Sequence, residues 1–222
     1  MDTPVVVESP RSPVTLLGGG WVDSATLDTA LAIAPVLVAA DGGADAALAA
    51  GHVPRAVIGD LDSLSAEARA RLDPGTILQI AEQDSTDFEK CLSRIAAPLV
   101  LGLGFLGRRF DHSLAALSVL ARSGPAPCVL VGAEDVVLHL PPRIELDLPA
   151  GSRVSLFPMR AVTGRSRGLE WPIDGLELAP WGRIGTSNRA TGPVVVERDG
   201  PGLVAILPRA ALGAVLAGLS AA

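Results

Sequence analysis

From residue 14 to residue 131, short apolar runs alternate with segments of helical pattern. Residues 14–17, 36–40, 56–58, 76–80, 99–101 and 128–131 are largely apolar stretches bounded by Gly, Pro or acids, the texture of buried strands. Residues 23–33, 44–50, 65–72 and 113–122 carry helical signals between them. Asp23 or Ser24 opens the first as N-cap, and Pro35 stops it. Thr86 and Glu89 form a capping box that starts a further helix. This alternation predicts an α/β N-terminal domain with a mostly parallel, Rossmann-like sheet. Val5-Val6-Val7 predicts an extra strand whose partner the flanking prolines leave open.

From about His139 the helical periodicity ends. Short runs at 144–148, 153–157, 168–171, 193–197 and 203–207 alternate with Pro and Gly, which predicts a small all-β sandwich domain. The boundary falls near residues 134–142, giving an α/β domain over 1–135 and a β domain over 139–222. Residues 208–220 fit either a closing strand or a short helix.

Composition narrows the partners. The chain has 222 residues, 49% of them hydrophobic, enough to bury a sizeable core. A net charge of −6 without an arginine-rich face argues against nucleic acid as a partner. Cys91 and Cys128 are too few and too far apart for a disulfide framework or a zinc site, which suits a reducing compartment. Residues 1–13 do not read as a signal peptide, and no run reaches the ~18 apolar residues a membrane span needs. The expectation is a soluble, cytoplasmic protein that engages neither nucleic acid nor membrane.

Acids recur where strands end. Ile58-Gly59-Asp60-Leu61-Asp62-Ser63 delivers two carboxylates two residues apart, and in extended backbone such side chains point to the same side. Asp60 and Asp62 then suit one hard cation such as Mg²⁺, although an isolated D-x-D also serves as an Asx-turn or cap. Asp41 ends the preceding strand and leads into Gly42-Gly43, a tight turn into a helix N-terminus that favours anions. Asp87 falls in the first turn after Thr86, with Lys90 one turn on. That spacing equally describes a dipole-friendly acid with an i,i+3 ion pair. Ligands of parallel sheets sit at the carboxyl ends of the strands, and acids gathered there repel unless a cation compensates them.

Glycine-rich loops follow two strands. Gly18-Gly19-Gly20 allows backbone to approach a ligand closely. Gly102-x-Gly104-x-x-Gly107 matches the dinucleotide-binding spacing, and Glu134 ends the next strand. However, this motif lies on the fifth strand rather than the first, and Asp111 looks like the N-cap of the helix that follows. His112 reads as a structural hydrogen-bonder. His52 and His139 lack a surrounding constellation. Trp171 and Trp181 each read most simply as β-domain core.

Taken in order, these motifs resemble the thiamine pyrophosphokinase (thiamin diphosphokinase) family. The likeness rests on Ala40-Asp-Gly-Gly-Ala44, Ile58-Gly-Asp-Leu-Asp-Ser63, Gln83-Asp-Ser-Thr-Asp-Phe-Glu-Lys-Cys-Leu92, the Gly107–His112 segment, Gly168-Leu-Glu-Trp-Pro172 and Gly185-Thr-Ser-Asn188. Arg108 stands where the family usually has a glycine, and Arg189 where an acid is common in bacterial members.

The resemblance implies a homodimer that transfers a pyrophosphoryl group from ATP to the hydroxyl of thiamine, giving thiamine diphosphate and AMP. It implies Asp41, Asp60, Asp62 and Asp87 as Mg²⁺ ligands, with Asp60, Asp62 and Asp87 catalytic and Asp87 ahead of Asp62 as proton acceptor. Asp41, Gly42, Lys90, Gly104, Arg109 and Asp111 would hold the nucleotide. Gln83, Ser187 and Asn188 would lie near thiamine, between the α/β domain of one subunit and the sandwich of the other. Trp171 or Trp181 would offer a ring face to the cationic thiazolium. Two other functions suit parts of the pattern: the same fold acting on another alcohol such as a pterin, or a non-catalytic (di)nucleotide-binding module.

Overall fold

The computed structural model describes residues 5–107, 109–122 and 126–222, so Arg108 lies outside the described residues. Two compact units are present, one within Met1–Val119 and Gly124–Gly132, the other comprising Leu120–Ser123 and Ala133–Ala222.

The first unit runs β1 (Val7–Glu8), β2 (Val14–Leu17), α1 (Ser24–Ile33), β3 (Val36–Ala40), α2 (Gly43–Ala49), β4 (Ala56–Gly59), α3 (Ala66–Arg71), β5 (Ile77–Gln79), α4 (Asp87–Leu92), β6 (Ile95–Ala96), β7 (Val100–Leu103), α5 (Phe110–Leu120) and β8 (Cys128–Val131). Six of its strands form a parallel sheet in the order β8-β7-β2-β3-β4-β5. β2, β4, β7 and β8 are buried at every position, which explains their unbroken apolar runs. Each leucine so buried contributes about 1.5–3 kcal/mol. The Val5–Val7 run finds its partner in β6, a short parallel pair beside the main sheet.

Side-chain caps place the helices. Asp23 accepts from the Thr26 N–H at 2.8 Å, Ser65 from the Ala68 N–H at 3.0 Å and Thr86 from the Glu89 N–H at 3.3 Å. One expectation fails here. α5 begins at Phe110, so Asp111 sits inside its first turn rather than capping it, and the Ser113 N–H instead reaches the Arg109 carbonyl at 3.1 Å. The strand order reverses at β2, which has β3 on one side and β7 on the other. A crevice at the carboxyl ends of such strands is where parallel sheets bind ligands.

The second unit is antiparallel: β9 (Asp135–His139), β10 (Arg143–Leu146), β11 (Arg153–Pro158), β12 (Gly164–Leu169), β13 (Gly185–Arg198) and β14 (Leu203–Pro208), closed by α6 (Leu212–Ser220). β13 belongs to three ladders. Its start pairs with β11, and its remainder runs between β12 and β10. The C-terminal segment is therefore a helix and not a strand. Gly218 lets it approach β10 closely, because a Cβ there would stand 2.5 Å from the Glu145 carbonyl oxygen. Trp171 and Trp181 are not core: they are 53% and 79% exposed. Among the described residues, no helix is long and apolar enough to cross a membrane.

Candidate active site

Three of the strand-end acids meet. Asp41 follows β3, Asp60 follows β4 and Asp87 opens α4, and one carboxylate oxygen from each lies within 4.8 Å of the others. The chain makes room for them at Gly59. A Cβ at that position would fall 2.9 Å from the Asp41 Cβ and 3.2 Å from Asp87 Oδ1. Asp41 is held in the left-handed region, φ 46°, a conformation that non-glycine residues adopt at some energetic expense and that clusters at functional sites.

Lys90 lies beside this group, 2% exposed, with Nζ 3.4 Å from Asp87 Oδ1 and 3.7 Å from Asp60 Oδ2. Thr86 sets the helix start, and the i,i+3 spacing then carries Lys90 over Asp87. Three carboxylates against one ammonium leave two negative charges, the amount one divalent cation neutralises.

The individual acids feel different surroundings. Burial pushes the Asp41 carboxyl up from its ordinary value, opposed by hydrogen bonds from Ser63 and reinforced by the charge of Asp87. The Ser63 N–H reaches both Asp41 oxygens, at 3.3 and 3.2 Å. Asp60 is held below the ordinary carboxylate range, chiefly by the Gln83 amide, which donates to Oδ2 at 2.9 Å; the Asp62 N–H and Lys90 act in the same direction. Mg²⁺ takes oxygen ligands at about 2.1 Å, so opposed ligand oxygens stand about 4.2 Å apart. An acidic trio already gathered to within 4.8 Å fits such an ion with small side-chain adjustments.

Asp62 is not brought into the trio. The extended-strand premise fails because Leu61, between the two acids, is in the left-handed region at φ 67°. Its side chain is 7% exposed and packs with Ala39, Val57 and Leu64, and this burial turns the backbone. Asp62 is exposed and accepts from the Ser63 hydroxyl at 2.9 Å.

The glycine loops line the switch point. The Gly20 N–H donates to the Gly104 carbonyl at 3.1 Å, and a Cβ on Gly20 would fall 2.3 Å from that oxygen. Gly104 has φ 76°, and a Cβ there would meet the Gly18 carbonyl oxygen at 2.8 Å, so both loops need glycine. Gly42 follows Asp41 and precedes α2. Arg109 and Asp111 stand outside the trio, each about two-thirds exposed and paired bidentately at 2.6 and 3.2 Å. That pairing brings the Asp111 carboxyl down to about 2. The dinucleotide reading of 102–107 loses its helix, since α5 opens only at Phe110.

The expected thiamine residues divide. Gln83 sits against Asp60. In the second unit, Ser187 adopts φ 61° and its N–H donates to the Ser155 hydroxyl at 3.0 Å. Asn188 is 5% exposed: its amide donates to the Trp171 carbonyl at 2.6 Å, and its oxygen accepts from the Trp171 and Arg189 N–H groups at 3.1 and 2.8 Å. Sequence reasoning quoted Gly59 and Ser63 within the Ile58–Ser63 motif without giving either a role, and it passed over Gln79, whose amide donates to the Asp60 carbonyl at 3.0 Å. The available signal was their position, directly before and after the strand-end acids and one ladder pair away on β5.

Residues 27–129 match the family described as thiamin pyrophosphokinase, catalytic domain. Thiamine pyrophosphokinase 1 of Oryza sativa subsp. japonica is 29% identical over 157 residues, covering 62% of this chain and 59% of that protein. Thiamine pyrophosphokinase 2 of Arabidopsis thaliana is 29% identical over 171 residues, covering 67% of this chain and 63% of that protein. The chain thus spans less than two thirds of the length of these curated relatives. Among solved structures, thiamin pyrophosphokinase from Candida albicans aligns with a TM-score of 0.73 at 16% identity, covering 94% of this chain and 97% of that one. Thiamine pyrophosphokinase from Bacillus subtilis aligns with a TM-score of 0.71 at 19% identity, covering 88% and 98%. At such identities the likeness is one of fold, an α/β architecture with parallel and antiparallel pairing.

Proposed function

We propose that this chain, which matches the thiamin pyrophosphokinase catalytic-domain family, moves a pyrophosphoryl group from ATP to the hydroxyl of thiamine. The observation that carries the reading is the meeting of Asp41, Asp60 and Asp87 beside two glycine loops at the carboxyl edge of a parallel sheet. Its two-domain form, a Rossmann-like α/β domain and a β-sandwich, is part of the same proposal, as are a homodimer and a cytoplasmic location.

In this reaction the thiamine oxygen attacks the β-phosphorus, the bridging bond to the α-phosphate breaks and AMP leaves. Such transfers need an in-line hydroxyl and charge neutralisation more than covalent help from protein. Asp41, Asp60 and Asp87 would hold Mg²⁺, which when bound supplies Lewis-acid stabilisation of phosphate charge. Lys90 keeps Asp60 and Asp87 together and places a fixed positive charge beside the phosphates. Gln83 and Gln79 fix Asp60 from its side chain and its carbonyl. Asp87 has a side chain 34% exposed, against 15% for Asp60, which suits it to take the alcohol proton. Asp62, exposed and outside the trio, is given neither the ligand nor the base role. Gly42, Gly104 and the Gly18–Gly20 loop would bring backbone close to phosphate, with Arg109 and Asp111 on the nucleotide. Ser187 and Asn188 are assigned to thiamine.

The test is incubation with ATP, Mg²⁺ and thiamine. The reading predicts AMP and thiamine diphosphate in equal amounts. ADP with thiamine monophosphate, or no product, contradicts it.

A further inference from the structure

The first unit leaves two large aromatic side chains uncovered, Phe110 at the start of α5 and Trp21 at the end of the Gly18–Gly20 loop, and nothing in the proposed chemistry uses Trp21. Trp21 follows directly on Gly20 and is 65% exposed. Exposing an indole forfeits the largest apolar burial any side chain offers, and exposed aromatics are a feature of binding surfaces. Its loop is fixed on both sides. A Cβ at Gly19 would stand 4.0 Å from the Gly42 carbonyl carbon and the Gly43 nitrogen, so this loop runs alongside the turn that carries Asp41. On its other side Gly20 is hydrogen-bonded to Gly104. Downstream, Asp23 caps α1 through two hydrogen bonds from Thr26, at 2.8 and 2.6 Å. Trp21 is thus held between two anchored points, on the loop that separates the acidic trio from the Gly104 loop.

We infer that Trp21 is the stacking platform for the adenine base of the nucleotide, an inference that rests on the nucleotide half of the proposed function. The direction of the reaction sets the geometry. The β- and γ-phosphates must lie at the acidic trio, where the bond changes occur, so the α-phosphate, ribose and base extend away from it. Within the Gly18–Gly20 loop, Gly19 leaves the space at its Cβ position nearly open, with the Gly42–Gly43 turn 4.0 Å away, and Trp21 is the side chain at which that loop ends. A base has an apolar face that stacks on an aromatic ring, and no hydrogen bond to the base is needed for that gain. Because the base leaves with AMP, the platform binds product as well as ATP.

Fluorescence reads this contact directly, since the chain has no tyrosine and only two other tryptophans, Trp171 and Trp181, both in the second unit. In the W171F/W181F double variant, Trp21 is the only strong emitter. The inference predicts saturable quenching by AMP and by Mg-ATP, and none by tripolyphosphate or by thiamine alone. In the otherwise unaltered chain, Trp21→Ala weakens AMP binding by calorimetry about tenfold, while Trp21→Phe keeps most of it. AMP bound with wild-type affinity by Trp21→Ala overturns the stacking role while leaving the proposed function standing. Quenching by thiamine but not AMP also overturns it, reassigning the indole to the acceptor. Failure of the wild-type chain to bind AMP or ATP removes both the inference and the reading beneath it.

Discussion

Gly59 is the residue on which the acidic trio depends sterically, although it contributes no functional group. A methyl at that position meets the Asp41 Cβ at 2.9 Å and Asp87 Oδ1 at 3.2 Å, so Gly59→Ala pushes two of the three carboxylates apart. Displacements of this order in a phosphate-transfer site lower turnover by about a hundredfold. Gly59→Ala is therefore expected to lose about that much AMP formation while keeping its circular dichroism spectrum. Wild-type turnover would show that the trio tolerates respacing. A second residue-level effect concerns stability. His139 ends β9, and its Nε2 accepts the Gly202 N–H at 2.8 Å. Burial first, then the charge of Arg198, lowers its pKa from 6.5. The unfolded chain therefore takes up a proton more readily than the folded one, so stability is full above pH 6.5 and falls as pH drops through the folded value. Melting curves from pH 7.5 to 5 test this, with His139→Gln predicted to show a shallower decline than wild type.

At the scale of elements, caps and clamps decide whether functional side chains arrive together. Thr86 both starts α4 and fixes the rotation of Asp87 and Lys90, so Thr86→Ala should cost about 1 kcal/mol in denaturant unfolding and also reduce turnover. Loss of stability without any loss of turnover would separate the helix start from the site. In the second unit, Asn188 ties β13 to both backbone groups of Trp171. Asn188→Ala leaves these partly buried groups without their partner, which predicts a destabilisation of about 1–3 kcal/mol in addition to any change in the KM for thiamine. An unchanged melting temperature would show that the clamp is dispensable. The strands of the first unit were legible because burial on both faces makes their apolar runs continuous. β13 was legible only in part. Its 193–197 run reads as a strand, but its polar start pairs with β11, a register set by a partner far away in sequence.

At the scale of the whole molecule, the candidate site was legible because strand order converts acids remote in sequence into neighbours. Asp41, Asp60 and Asp87 each stand next to a recognisable element end, and a parallel sheet brings such ends to one edge. Asp62 escaped this logic. Its separation from the trio follows from the burial of Leu61 among Ala39, Val57 and Leu64, a packing choice that no local pattern reveals. The exposure of Trp171 and Trp181 was likewise hidden, since an indole in β texture reads by default as core. The central claim is that three carboxylates and one buried lysine create a site for a single divalent cation. Titration with Mn²⁺, followed by electron paramagnetic resonance in wild type and Asp60→Asn, tests it most directly. The account predicts one ion per wild-type chain and roughly tenfold or greater loss of affinity in the variant; undiminished Mn²⁺ binding by a folded Asp60→Asn protein would contradict it.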